Sequence, residues 1–208
     1  MVGTEKNEIL NYGLRVFRSR HREIRKLKRL HSPSVHGFRV WSSSWLLLDF
    51  LARRGLPHGI RVIDVGCGWG VAGIYCAKRY GARVTAVDID SEVFPYLRLH
   101  ADINKVNIIT LKKGIDELKG KHLKDVDVVI GADICFWDTM VDPIKGFISR
   151  ALITGVRLVL IADPGRSPFE ELGEYFVKNR KGVAMDWSVS SPHPIHGRIL
   201  KIALPNLT

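Results

Sequence analysis

Val62-Ile63-Asp64-Val65-Gly66-Cys67-Gly68-Trp69-Gly70-Val71-Ala72-Gly73 decides the fold of this chain. Apolar β-branched residues run into an acid, glycine then recurs at every second position, and Ile74 to Tyr80 read as helical. The pattern predicts a buried strand delivering a loop that lies close to a ligand. Glycine permits φ > 0 and has no Cβ to hold a ligand off. The loop opens onto a helix N-terminus, where unpaired N–H groups favour negative charge. A dinucleotide fingerprint would need its third glycine at position 71, which is Val71. The pattern here is Asp64-x-Gly66-x-Gly68-x-Gly70.

Outward from this loop, strands and helices alternate at the pace of a doubly wound α/β sheet. Strands are expected at 60–65, 83–88, 107–112, 126–131 and 156–162, and helices at about 70–80, 91–103, 138–151 and 168–180. Stretches 182–189 and 195–204 read as a closing antiparallel pair around the proline turn Ser191-Pro192-His193-Pro194. The fold expected is a Rossmann-like, doubly wound, mostly parallel seven-stranded sheet with a C-terminal antiparallel hairpin and an N-terminal helical extension. In that extension, residues 5–30 read as one helix on the apolar spacing of Ile9, Leu10, Leu14, Phe17, Ile24, Leu27 and Leu30. His31-Ser32-Pro33-Ser34 breaks it. A second, apolar helix runs from about Trp45 to Arg53, with Ser42 or Ser43 available as its cap. By pattern alone Trp41 and Trp45 are core aromatics.

The 208 residues suffice for one domain with a full core. With 46% apolar and 25% charged residues, a largely disordered chain is excluded. Three cysteines (Cys67, Cys76, Cys135) without C-x-x-C spacing make neither a disulfide framework nor a zinc site. No metal is expected. The first residues lack the order of a signal peptide, and no run approaches a membrane span. A cytoplasmic protein is the expectation. The net charge of +11 favours an acidic partner, whether protein, nucleic acid or membrane surface. Arg15, Arg18, Arg20, Arg22, Arg25, Lys26, Lys28 and Arg29 concentrate it near the N-terminus, either as a solvated face or as a docking surface.

In open α/β sheets a ligand lies beyond the carboxyl ends of the strands. Asp88 ends the strand about 20 residues past the loop, where a carboxylate accepts hydrogen bonds from ribose hydroxyls. Asp88 or Asp90 could instead cap the next helix, in competition with Ser91. Lys113-Gly114-Ile115-Asp116 follows the next strand, and Gly131-Ala132-Asp133-Ile134-Cys135-Phe136-Trp137 the one after. Cys67 and Cys135 are best explained as small residues at tight strand ends. His193 and His196 read as loop residues.

These motifs resemble the class I S-adenosylmethionine (SAM) methyltransferases. Asp64-x-Gly66-x-Gly68-x-Gly70 is similar to their motif I, which packs against the amino-acid end of the cofactor. Gly131-Ala132-Asp133-x-x-Phe136 resembles the Asp-x-x-Tyr/Phe motif of the family 16 protein-lysine methyltransferases. Gly37-Phe38-Arg39-Val40-Trp41 is similar to that family's Gly-x-x-x-Trp segment. Ala162-Asp163-Pro164-Gly165-Arg166 looks most like the branch acting on the electron-transfer flavoprotein β-subunit. The match spans about 37–166 and departs from the family at Ser42 and at Phe136, where Tyr is common. The Asn/Asp-Pro-Pro-aromatic sequence of nucleobase amine methyltransferases is absent.

The resemblance implies a SAM-binding domain over 59–208 with residues 1–58 as a helical segment packed on it. It implies cofactor contacts from Trp41, Asp64, Gly66, Cys67, Gly68, Asp88, Ile115, Asp116 and Ala132. Ile115 would cover the adenine and Asp116 would receive its amine. The implied reaction is methyl transfer to a protein lysine, with S-adenosylhomocysteine as the other product. The alternative is a small-molecule or RNA methyltransferase using the basic N-terminal helix for substrate contact. Asp133 and Phe136 are the implied catalytic residues. A lysine must lose its proton to attack, at a cost of roughly 4 kcal/mol at neutral pH. A carboxylate beside it stabilises the ammonium. Asp133 is therefore expected to bind and aim the amine, with proton loss to water. Phe136 and Trp137 would flank the substrate stem. The partner expected is an acidic protein, with nucleic acid second.

Overall fold

In the computed structural model, which describes residues 7–34 and 36–204, the elements follow the expected order closely from residue 42 onward. After the N-terminal segment come α2 (Ser42–Arg54), β3 (Arg61–Val65), α3 (Val71–Tyr80), β4 (Arg83–Asp88), α4 (Phe94–Asn104) and β5 (Ile109–Lys112). Then follow α5 (Gly120–Leu123), β6 (Val128–Ala132), α6 (Val141–Thr154), β7 (Leu158–Asp163), α7 (Ser167–Arg180), β8 (Val183–Val189) and β9 (Ile195–Ala203). The seven-stranded sheet has the order β5-β4-β3-β6-β7-β9-β8. Strands β3 to β7 pair in parallel, and β9 enters antiparallel between β7 and β8.

The central strands are buried on both faces, as their continuous apolar runs require. One core layer joins β3 and β7 to α2 and α3 through Leu46, Leu47, Leu51, Ile74 and Leu160. The other packs α6 and α7 on the opposite face through Phe147, Ile148, Phe169, Leu172 and Phe176. Order reverses beside β3, whose neighbours are β4 and β6. The strand ends there diverge and leave a crevice, the usual ligand position in such sheets.

The single helix expected over 5–30 is wrong. Positions 5 and 6 lie outside the described residues. Beyond them the chain forms a hairpin, β1 (Glu8–Asn11) and β2 (Leu14–Phe17), and only then a helix, α1 (Arg22–Leu30). Tyr12 and Gly13 both take positive φ (50° and 73°), the condition for a tight two-residue hairpin turn. Leu14 and Val16 point inward while Arg15 points out, a period of two that the helical count passed over. Tertiary contacts complete the strand. The side-chain amide of Asn104 accepts from Arg15 N–H (3.0 Å) and donates to its carbonyl (2.8 Å), and His100 Nε2 accepts from Phe17 N–H (3.1 Å). His100 Nδ1 lies 2.7 Å from Tyr96 O, and burial pushes the imidazole down to about 4, so it serves as a neutral donor–acceptor. The extension is thus a hairpin plus helices. Leu14 and Val16 share a core with the sheet.

Neither Ser42 nor Ser43 caps α2 with its side chain. The N-cap position is Trp41, without a side-chain bond, and the Ser43 N–H is taken by Asp133 from just past the end of β6 (3.1 Å). Among the described residues, no helix is long and apolar enough to cross a membrane.

Candidate active site

At the crevice lies a cavity of about 460 Å3. Gly66, Gly68, Asp88, Ile115, Asp116, Ala132, Asp133, Phe136 and Trp41 all line it. They come from the ends of β3, β4, β5 and β6 and from the segment before α2. Residues more than 90 positions apart in sequence, Trp41 and Asp133, meet there because parallel strands end on one side of the sheet.

The glycine loop is shaped by three positive φ values, 59° at Gly66, 51° at Gly68 and 74° at Gly70. A Cβ on Gly66 would stand 2.6 Å from Ile134 Cγ2, so there the backbone meets protein. A Cβ on Gly68 would meet no heavy atom within 4 Å. The side-chain space at Gly68 is open beside the cavity, as a loop that cradles a ligand requires. Asp88 tightens the loop, accepting from Gly68 N–H (3.0 Å) through one oxygen and from Asp90 N–H (3.0 Å) through the other. Burial raises its pKa, while these N–H donors act the other way. Each oxygen keeps a lone pair for a hydroxyl donor. Asp90, not Asp88, caps the following turn through Glu92 N–H (2.9 Å).

Asp64 and Cys67 are not brought to the cavity. Asp64 is buried beneath the loop and accepts from Gly73 N–H (2.9 Å). Its place just before the glycines reflects loop support, since a Cβ at Gly73 would collide with its carboxyl oxygen at 2.9 Å. Cys67 packs into a small cluster with Val93, Phe94 and Leu97, and burial pushes its thiol up. Burial pushes the Asp64 carboxyl up to about 8. Its folded pKa exceeds the unfolded one, so its contribution to stability is full below about pH 4 and is lost as pH rises through 8. Relative to wild type, Asp64→Asn should gain about 1.4 kcal/mol of unfolding free energy per pH unit between those limits. Urea unfolding of both proteins at pH 5 and 7 checks this, and equal slopes would refute it.

At Asp133 the cavity is bounded by an aromatic frame. Phe136 stacks on His36 (4.6 Å, 20°) and meets Trp41 edge-on (6.1 Å). Trp41 is fixed by its indole N–H on His36 O (2.7 Å) and by Arg39 over its ring at 3.9 Å. Trp137 does not line the cavity but stands 52% exposed at its rim, tilted against His36. His36 and Arg39 line the site and carry no sequence signal beyond their place in the segment leading to Trp41. His36 takes φ +50°, which no motif announces. Met140, Pro143 and Ile144 add an apolar wall from the start of α6.

Asp133 is not a free carboxylate. It is 4% exposed, takes φ +57°, accepts Ser43 N–H on Oδ2 and pairs with Arg166 Nη2 through Oδ1 (2.8 Å). Arg166 also bridges Asp163 (2.7 Å) and lies 4.8 Å over Phe136. Among the described residues no cluster suits a metal ion. Cys135 is fully buried and its thiol is pushed up to about 12, which leaves it no nucleophilic role. His196 lines a separate cavity against the β8–β9 pair, and His193 lines neither.

Part of the chain and the fold are similar to known proteins. Residues 62–152 match the family described as a methyltransferase domain. The chain is 40% identical over 83 residues to the ribosomal protein L11 methyltransferase of Acetivibrio thermocellus, covering 40% of this chain and 25% of that protein. It is 27% identical over 136 residues to the electron transfer flavoprotein beta subunit lysine methyltransferase of Danio rerio, covering 63% and 52%. Ubiquinone biosynthesis O-methyltransferase of Klebsiella pneumoniae is 36% identical over 85 residues, covering 40% and 35%. Among solved structures, a human methyltransferase 10 domain containing protein superposes with a TM-score of 0.61 at 14% identity, over 87% of this chain and 93% of that one. TrmN from Thermus thermophilus superposes at 0.59 and 16% identity, over 77% and 48%. Residues 62–152 are thus a methyltransferase domain, with SAM as its cofactor. The chain spans between a quarter and about half the length of these curated relatives, and they differ among themselves in what they methylate.

Proposed function

We propose that this protein transfers a methyl group from SAM to a lysine side-chain amine of an acidic protein. The cofactor supplies an electrophilic methyl on a sulfonium. On this reading Asp88 accepts the ribose hydroxyls, Ile115 covers the adenine and Asp116 takes its amine. Gly68 lets the amino-acid end approach, Gly66 lets the loop close on Ile134 beside it, and Ala132 and Trp41 wall the site. The observation that carries the lysine reading is Asp133, a carboxylate facing the cavity within the frame of Phe136, His36 and Trp41. An amine entering there meets a hydrogen-bond acceptor that aims its lone pair and aromatic walls that exclude water. Phe136 has no hydroxyl and can act only by packing. The similarity to the flavoprotein-subunit lysine methyltransferase supports the same reading.

An acidic partner fits the exposed cations. Arg18, Arg20, Arg25, Lys28 and Arg29 are exposed on and just before α1, and α1 leads into the segment that carries His36 and Trp41. The same cations would suit RNA, and an RNA acceptor predicts labelled nucleic acid and steep salt dependence.

The test of the lysine reading is Asp133→Asn, which keeps an oxygen for Ser43 N–H. Transfer to lysine from labelled SAM should fall by at least about 100-fold, the scale of a lost positioning contact. Affinity for S-adenosylhomocysteine should stay within about threefold. A parallel loss of both would make Asp133 a support of the cofactor site and remove its role toward the acceptor.

A further inference from the structure

The Asp133 carboxylate poses a difficulty for lysine methylation. A carboxylate beside an amine holds it protonated, and only the neutral amine is a nucleophile. We propose that Arg166 resolves this as a positioning residue, its fixed cation sharing Asp133 with the incoming amine so that the carboxylate aims the acceptor without trapping it as an ammonium. The proposal rests on the lysine reading above.

The guanidinium is fixed at both ends. Its Nη1 bonds Asp163 Oδ2 (2.7 Å) and its Nη2 pairs with Asp133 Oδ1 (2.8 Å), while the plane rests over Phe136. Asp163 has no exposed surface, and its other oxygen accepts the N–H groups of Gly165 and Arg166, both at 2.9 Å. Withdrawing the guanidinium would strand a buried carboxylate, which is strongly disfavoured. Arg166 therefore stays when substrate arrives, unlike a gate. Asp133 keeps one lone pair on each oxygen for an N–H of the acceptor.

The charges around that seat come from three places. His36 and Arg39 belong to the segment before α2, and Asp133 and the protonated thiol of Cys135 to the end of β6. Asp163 and Arg166 stand at the end of β7. Asp138 and Glu171 lie further off, the latter bound to Lys145 at 2.9 Å. Arg166 is the cation in direct contact with Asp133. In the reaction an ammonium first gives its proton to water. The Nζ lone pair then forms the new C–N bond as the methyl C–S bond breaks, its electron pair returning to sulfur to leave a neutral thioether. The methylated nitrogen is left as an ammonium.

Removing the cation should raise the pH at which the bound amine becomes reactive. Initial rates are measured with the whole protein, saturating methyl-labelled SAM and a protein extract of the source organism. Methyl-lysine is quantified after hydrolysis of reactions run between about pH 6.5 and 11. Arg166→Gln is expected to run about tenfold below wild type at pH 7 and to converge on it only above the pKa of its bound amine, a displacement of about one pH unit. Its affinity for S-adenosylhomocysteine should be unchanged within about threefold. Arg166→Lys should restore the wild-type profile. A loss in Arg166→Gln that is equal at every pH, or no loss, overturns the proposal while the lysine reading stands. Wild-type enzyme that labels no lysine at any pH sinks both. If Arg166→Gln fails to fold, Arg166→Lys carries the test, since it keeps the charge and loses the fork. A displaced alkaline limb in that variant overturns the proposal.

Discussion

Asp88→Ala is expected to lower affinity for S-adenosylhomocysteine by about two orders of magnitude or more. A hydrogen bond to a charged group contributes roughly 1.5–3 kcal/mol, and a vicinal diol offers two. The carboxylate also holds Gly68 N–H and Asp90 N–H, so the substitution loosens the loop as well as removing the ligand. Asp88→Asn, which keeps one acceptor and turns the other into a donor, should fall between the two. Calorimetric titration checks both, and retention of affinity within threefold in the alanine variant would remove Asp88 from the cofactor site.

The second large effect divides the glycine loop into two jobs. Gly66→Ala should destabilise the fold by about 3 kcal/mol. It adds a side chain at φ +59° and drives a Cβ to 2.6 Å from Ile134 Cγ2, combining roughly 1–2 kcal/mol of backbone cost with 1–3 of overpacking. Gly68→Ala carries only the backbone cost, because no heavy atom lies within 4 Å of the added carbon. Its penalty should appear instead in cofactor affinity, since the methyl occupies space at the cavity wall. Urea unfolding and ligand titration on the two variants separate the jobs. Equal destabilisation with equal loss of binding would contradict the division.

Much of this architecture was legible because it is local. A buried parallel strand must be continuously apolar, and a loop pressed against neighbours must use glycine, so Val62 to Gly73 announces itself. The ends of β4, β5 and β6 are similarly marked by Asp88, by Gly114-Ile115-Asp116 and by Ala132-Asp133, polar or small groups after apolar runs. The hairpin at Glu8–Phe17 was not legible, because four-residue strands offer too short a period to outweigh scattered apolar residues. Its backbone partners, Asn104 and His100, lie more than 80 residues away. Asp64 and Cys67 sit in the motif yet outside the cavity, since Asp64 turns under the loop to accept Gly73 N–H and Cys67, beyond the end of β3, packs against Val93, Phe94 and Leu97.

By itself the sequence determined the order of strands and helices from residue 42 onward, the glycine loop and the side of the sheet on which the crevice lies. Only the tertiary structure decided the state of Asp133. Its carboxylate bonds the first turn of α2 and Arg166, and it stands under an aromatic frame that includes His36. Those partners come from residues 36, 43 and 166, and nothing in their local sequence records a contact that forms only when β6, β7 and the segment before α2 end at the same point in space.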